Sequence, residues 1–404
     1  MAIQVGYMGT KKYLARHMRE VIDSCPPGPV LDVFSGMGSV AEALASSRQV
    51  WMNDVQFFAS EVARALFASR SRPVDRDGIM DQFIPLFEQN KQRLLNRFRE
   101  TIRDEDGEIA AGTVQGLLNA NQIVRSRIDS AFVYGELRRL QLKSTEPYRL
   151  FALSYSGKYF SLRQTIEIDS LRYAIDAIHI ADEQKRWMLL ALGVAMLRAS
   201  ASTGHFAQYL SPKAANLQFL LRQRRRSIFE TFWIELSALA PVGTQLWRSK
   251  NRVFRHDAIQ LLEQLGRSGN GPAVVYADPP YTDDQYSRFY HLWETLILYD
   301  YPVATGKGCY RAGRFRTPFA LKSEVEGAVN ALACAASKTG AHFVLSYPVN
   351  GLLSTIPIRI EDIVKRHYRS CKAVRQIKHE HSTMGASNGR AKNLVTEMVY
   401  LARN

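Results

Sequence analysis

The segment Tyr276-Ala277-Asp278-Pro279-Pro280-Tyr281 brings an acid, two residues that lack a backbone N–H and an aromatic ring into close succession. The apolar run Ala273 to Ala277 predicts a buried strand, so Asp278 falls at its carboxyl end, where open α/β sheets hold their ligands. The prolines fix the backbone and present carbonyls rather than donors. A carboxylate and a carbonyl side by side suit the two hydrogens of a planar amine, and the ring suits its π face. Accepting both hydrogens draws the nitrogen lone pair out of conjugation, which attack on a methyl carbon requires. The bland alternative is a Pro-Pro turn with a capping acid.

A second group is Asp32-x-Phe34-x-Gly36-x-Gly38, after a short apolar run and before a helical pattern. Glycines there let the chain turn sharply and a ligand approach closely, with a helix N-terminus behind it. The third fingerprint position is Ala41, so the spacing leaves a nicotinamide dinucleotide open. Asp54, about 20 residues on at the next strand end, is placed to accept from a ribose diol. Asp32 and Phe34 tilt the choice. A carboxylate there repels a pyrophosphate but takes the ammonium of S-adenosylmethionine, and an aromatic face suits its sulfonium. A nicotinamide oxidoreductase would leave the Asp278 segment without a task. A third group, Tyr7-Met8-Gly9-Thr10-Lys11-Lys12, reads by itself as a helix start with surface lysines.

The elements around these groups alternate between strand and helix. Tyr13 to Ile22 is helical in spacing, Val30 to Phe34 and Gln49 to Met52 are strand-like, and Val40 to Leu44 opens a helix between them. This is a βαβ unit, which implies a parallel sheet. From about Ser60 to Ser249 helical periodicity takes over, as in Asn90 to Arg103, Ser126 to Leu142, Ile166 to Ile180, Gln184 to Ser200 and Leu217 to Leu236. Strand texture returns near Val253, then at Ala273 to Ala277 and His342 to Tyr347, with a helix around Leu321 to Ser337. The alternation in Ala373 to Lys378 and Asn393 to Ala402 predicts a hairpin around a Ser/Gly/Asn-rich loop. The expectation is one discontinuous domain, 1–60 with 251–404, split by a mainly helical insertion at 61–250. Three independent domains are the alternative.

The 404 residues include 53 Lys plus Arg against 38 Asp plus Glu, a net charge of +15. That excess points to a polyanionic partner, nucleic acid before an acidic membrane face. The clusters carrying it are Arg222 to Arg226, Arg138-Arg139, Arg163, Lys213, Arg248, Lys250, Arg252 and Arg311, Arg314, Arg316. Cys25, Cys309, Cys334 and Cys371 are widely spaced, so neither a metal site nor a disulfide framework is expected. The longest apolar run, Trp187 to Leu197, is too short for a bilayer. The start lacks a secretory pattern, and a cytoplasmic, membrane-free protein is expected.

Taken together the motifs resemble the DNA adenine-specific methyltransferases that carry a D-P-P-Y motif, in the Dam-like alpha order. The match runs through Tyr7, Gly9 and Lys11, the Asp32-to-Gly38 turn, Asp54, Arg255 to Ala258, Asp278 to Tyr281, Gln285 to His291 with Glu294, and Leu345 to Tyr347. Tyr7 stands where many members have Trp, and Thr10 where they have Gly. The resemblance implies a Rossmann-like S-adenosylmethionine-dependent methyltransferase sheet with a target-recognising insertion. It implies that Lys11, Asp32, Phe34, Gly36 and Gly38 line the methionine half of the cofactor, and that Tyr7 also binds the cofactor. Asp54 would hold the ribose hydroxyls, Val55 would lie against the adenine ring, Asp257 would bind the adenine amino group, and Ala258 would add a backbone contact. Asp278, Pro279, Pro280 and Tyr281 would be catalytic, acting on a flipped-out adenine of double-stranded DNA. A cognate restriction or defence-system subunit is a partner the resemblance allows. RNA adenine or cytosine as target, or a non-catalytic DNA-binding subunit, are the alternatives.

Overall fold

The computed structural model describes residues 14–45, 47–128, 148–382 and 392–404. Two compact units compose the chain. One takes the residues up to Arg70, Pro241–Ser287 and those from Phe315 onward; the other takes Ser71–Ala240 and Arg288–Arg314.

The first unit is built on strands that are apolar along their whole length. β1 (Val30–Asp32), β2 (Val50–Asn53) and β4 (Val274–Ala277) are buried at every position, the signature of parallel strands covered on both faces. With β3 (Arg252–Phe254) and β7 (His342–Pro348) they form the parallel part of a seven-stranded sheet. β9 (Lys392–Arg403) runs antiparallel to β7, and β8 (Ser370–Ser382) pairs with β9 at the edge. The order is β3-β2-β1-β4-β7-β9-β8. The sheet is Rossmann-like. β1 has β2 on one side and β4 on the other, so the strand order reverses there, and a crevice opens beyond the carboxyl ends of β1 and β4.

Helices Ala258–Ser268, Val325–Ser337 and Ile360–Lys365 cover one face of the sheet. Leu261, Leu262, Val329, Leu332 and Ile363 share a buried cluster there with Leu31, Val275, Phe343 and Leu345. The turn after β1 needs glycine for two reasons at Gly38. Its φ is +77°, and a Cβ on it would lie 2.4 Å from the Phe67 ring.

The second unit is mainly helical. Its described helices include Met80–Arg97, Arg99–Ala110, Val114–Arg127, Leu162–Ala177, Asp182–Ala199, Leu217–Arg224, Ile228–Ala238 and His291–Leu298. Two expected helices are broken. Phe98 separates the first two, and Arg225 to Ser227 interrupt Leu217 to Leu236, where the Ser227 hydroxyl caps the next helix by accepting from Glu230 N at 3.1 Å. Ser126 to Leu142 lies mostly outside the described residues, as do Arg138 and Arg139. The stretch 288–314, grouped by sequence with the sheet, packs in the helical unit. There His291 is buried, and β5 (Ala304–Thr305) pairs with β6 (Tyr310–Arg311).

Three of the basic side chains read as candidates for polyanion contact are structural. Arg224 is buried and donates to Asn121 Oδ1 and the Lys158 carbonyl, both at 2.9 Å. Arg248 is buried on the carbonyls of Ser69, Val242 and Gly243. Arg311 is paired with Asp300 at 2.7 Å. Lys213, Arg222, Arg225, Lys250, Arg252 and Arg316 are exposed. No described helix is long and apolar enough to cross a membrane.

Candidate active site

A short strand that ends in an acid leaves that acid's backbone neighbours to be satisfied by the turn that follows. At the end of β1, Asp32 is 5% exposed and its Oδ1 accepts from Phe34 N at 3.2 Å. The glycine turn is held from β2. Asp54 takes Gly36 N on Oδ2 at 3.1 Å and Gln56 N on Oδ1 at 2.9 Å, so this acid shapes the turn it faces. Asn53 binds three strands together. Its Nδ2 donates to the carbonyls of Val33 and His256, each at 3.1 Å, while its Oδ1 accepts from His256 N at 3.0 Å.

Across the crevice, Asp278 to Tyr281 leave the end of β4. Tyr281 meets Tyr347 edge-on with ring centroids 6.4 Å apart, and its carbonyl accepts from Leu352 N at 2.9 Å. Asp257 caps the helix Ala258–Ser268, its Oδ1 accepting from Ile259 N at 3.0 Å and Gln260 N at 3.2 Å.

These residues share one cleft of about 1050 Å³, its open mouth included. Its walls include Asp32, Phe34, Gly36, Asp54 and Val55 from the first motif, Asp257 and Ala258 from the helix cap, and Asp278, Pro279, Pro280 and Tyr281. Gly38 does not line it and instead faces Phe67 and Met52. Tyr7 and Lys11 lie outside the described residues.

Sequence reasoning named Gln285 to His291 without giving them a role in the site, and it missed Phe315, Thr317 and Phe319 in the rest of the wall. Gln285 and Thr317 are joined by a two-way amide contact, Thr317 N to Oε1 at 2.9 Å and Nε2 to the Thr317 carbonyl at 3.2 Å. Ser287 donates to the Phe315 carbonyl at 2.7 Å, and Phe319 packs edge-on against Phe34 at 5.3 Å. Gln285 followed the acid motif closely enough to be suspected. Phe315, Thr317 and Phe319 come from a turn-like stretch with no chemical pattern of its own.

The cleft is strongly acidic. Burial pushes the Asp32 carboxyl well above the usual range, and the Asp278 and Asp54 carboxylates push it further. Burial and then the Asp278 charge push the Tyr281 phenol up as well. Such a site favours a ligand that brings positive charge and hydrogen-bond donors.

Known proteins add a family to this geometry. Residues 138–333 match the D12 class N6 adenine-specific DNA methyltransferase family. The D12 match spans the Asp278-to-Tyr281 segment and most of the helical unit; the β1 turn and Asp54 precede it. Relatives extend the likeness into that first segment. A type II methyltransferase, M.FokI, of Planomicrobium okeanokoites is 25% identical over 369 residues, 89% of this chain and 47% of its own. The modification methylase StsI of Streptococcus sanguinis is 22% identical over 86% of this chain and 44% of its own. The type II methyltransferase M.NlaIII of Neisseria lactamica is 26% identical over 67% of this chain and 75% of its own. The chain therefore spans about half the length of the first two relatives.

Among the D12-like features, Asp257 carries a separable prediction. Asp257→Ala is expected to lower stability by about 0.5–2 kcal/mol through the lost helix cap. Asp257→Asn, which keeps an accepting oxygen, should retain most of it. Urea unfolding of both variants measures the difference.

Proposed function

We propose that the chain is an S-adenosylmethionine-dependent DNA methyltransferase that methylates the 6-amino group of an adenine turned out of duplex DNA. The observation that carries this reading is that Asp32 and Asp278, from the ends of the neighbouring strands β1 and β4, line one cleft together with Phe34 and Tyr281. Two mutually repelling carboxylates fit a cofactor that is cationic at both its ammonium and its sulfur. When bound, S-adenosylmethionine supplies an electrophilic methyl group. The chain's own residues do the rest. Asp32 takes the ammonium, and Phe34 offers its ring face to the sulfonium. Lys11, Tyr7, Gly36 and Gly38 serve the methionine half, Gly38 by shaping the turn. Asp54, which also holds Gly36 N and Gln56 N, accepts from the ribose hydroxyls. Asp257 and Ala258 serve the adenine amino group, with Val55 against the ring.

Asp278 and the Pro279 carbonyl accept the two hydrogens of the target amine, Pro280 fixes the turn, and Tyr281 stacks on the base. Stacking of this kind, worth about 1–3 kcal/mol, offsets part of the cost of extruding the base. The rate then comes mainly from holding nitrogen and methyl in line. The exposed cations of residues 213–252, with Arg316, supply phosphate contacts and so a salt-dependent affinity. A cognate restriction or defence-system subunit is the proposed partner, in keeping with relatives named as modification methylases.

The test is transfer of labelled methyl to duplex DNA, followed by digestion to nucleosides. Label in N6-methyldeoxyadenosine is the expected result. Label in a cytosine derivative, transfer only to RNA, or no transfer would each overturn the reading.

A further inference from the structure

The pocket mechanism leaves two side chains of the cleft wall without a task. Gln285 Oε1 accepts from Thr317 N at 2.9 Å, and its Nε2 donates to the Thr317 carbonyl at 3.2 Å. Two residues on, the Ser287 hydroxyl donates to the Phe315 carbonyl at 2.7 Å. The step forward from 285 to 287 is matched by a step back from 317 to 315, the register of two antiparallel strands. Here side chains make the rungs. A backbone rung survives almost any substitution, whereas these exist only because positions 285 and 287 carry an amide and a hydroxyl. The residues between the two sides, 288–314, fold with the helical unit, so the rungs fasten the start of that excursion to its end.

This clip reaches both halves of the proposed chemistry. On one side Gln285 stands four residues after Tyr281, in the stretch that begins with Asp278. On the other, Thr317 Oγ1 accepts from Phe319 N at 3.3 Å and so starts the short turn Pro318–Ala320. Phe319 is buried and meets Phe34 edge-on at 5.3 Å. Phe34 in turn sits two residues past Asp32 in the turn after β1, where Asp32 Oδ1 holds its N–H. Gln285, Ser287, Phe315, Thr317, Phe319 and Phe34 all line the cleft. Hydrogen bonds and one ring contact therefore join the target side of the cleft to its cofactor side.

We propose that Gln285 is a positioning residue for methyl transfer. Seconded by Ser287, it holds Thr317 so that Phe319 fixes the Phe34 ring, and thereby sets where the sulfonium lies relative to the amine at Asp278. The inference rests on the methyl-transfer reading above. Gln285 acts through Thr317, Phe319 and Phe34 and touches neither reacting atom. In-line attack tolerates little error, since a displacement of about 1 Å can cost about 10²-fold in rate. Cofactor binding is less exacting, because its partners at Asp32, Asp54 and Asp257 are held by their own backbone contacts and not by the clip. Loss of the clip therefore falls on the rate more than on the affinity. The chemistry also selects the residue type. One carboxamide both accepts from and donates to the same residue's backbone, which a carboxylate cannot do.

The experiment is a single turnover on duplex DNA at saturating labelled cofactor, followed by rapid quench, with cofactor affinity measured by calorimetry. Gln285→Ala should lower the rate about 10- to 10²-fold and weaken cofactor binding by no more than about threefold, with a melting temperature near wild type. Ser287→Ala should lower the rate less. The double variant should be hardly slower than Gln285→Ala, because both rungs hold one wall. Gln285→Glu should match Gln285→Ala near pH 8, where its carboxylate cannot donate to the Thr317 carbonyl. Its rate relative to wild type should rise severalfold toward about pH 5.5, because a protonated carboxyl restores donor and acceptor together. Dividing by the wild-type rate at each pH removes the titration of Asp32, Asp54, Asp257, Asp278 and His256, which line the cleft in both proteins. A purely structural role would move melting and show no such recovery. Ser287→Ala and Gln285→Glu carry the same test if Gln285→Ala does not fold. A wild-type rate in the folded variants, or independent losses in the double variant with no recovery of Gln285→Glu, would overturn the positioning role and leave the methyl-transfer reading intact. A wild type that transfers no methyl group would overturn both.

Discussion

Asp278→Ala is expected to lower the single-turnover rate of methyl transfer by about 10³-fold or more while cofactor affinity stays within a few fold. In the proposed chemistry the carboxylate accepts from the target amine, so its removal acts on the transition state, and 10³-fold corresponds to about 4 kcal/mol. Asp278→Asn keeps one accepting oxygen but not the charge, and it should fall between alanine and wild type. The fold should tolerate both changes, because Asp278 follows β4 rather than filling its core. Rapid quench with labelled cofactor, beside calorimetric titration of the cofactor, separates the two effects. Full activity in the alanine variant would refute the assigned chemistry.

Asp32→Asn should push stability and binding in opposite directions. Burial, then Asp278 and Asp54, hold the Asp32 carboxyl well above its ordinary value of 3.8 in the folded chain. A carboxyl whose folded value is raised favours the folded state most when protonated. Its contribution is therefore greatest at low pH and is lost as the pH rises from about 3.8 through the raised value. Near neutrality the wild type carries the penalty and the asparagine variant does not. The ligand-free variant should melt a few degrees higher at pH 7, with the gap closing toward pH 4. Its cofactor affinity should drop about 10²-fold through loss of the ammonium partner, or about 2.7 kcal/mol. Melting curves across pH with and without cofactor read both. A variant that is less stable at pH 7 and binds normally would contradict the assignment.

Much of the first unit was legible because its strands obey a local rule. Val30 to Asp32, Val50 to Asn53 and Val274 to Ala277 are apolar at every position, and the acids Asp32, Asp54 and Asp278 stand at or just beyond their ends. The C-terminal hairpin showed through its alternation, although its strands run longer than that pattern suggested. What stayed hidden depends on partners distant in sequence. Nothing near Asn53 announces that it ties to Val33 and His256, and nothing near Thr317 announces Gln285. The arginine run from Arg222 to Arg226 read as one basic cluster for a polyanionic partner. The break at Arg225 turns Arg224 inward onto Asn121, a choice set by tertiary contacts that periodicity does not carry.

The strand order has a consequence for how the chain is made. β1 and β2 need β4 and β3 as neighbours, and roughly 200 residues separate Asn53 from Arg252. At about 5–20 residues per second, the first two strands leave the ribosome some 10–40 s before their partners. During that interval their edges have no sheet to join, while the helices between them can already gain local contacts. Nascent chains halted before β3 should therefore be the aggregation-prone species, and the slow step of refolding should be the late closing of non-local pairs around β1.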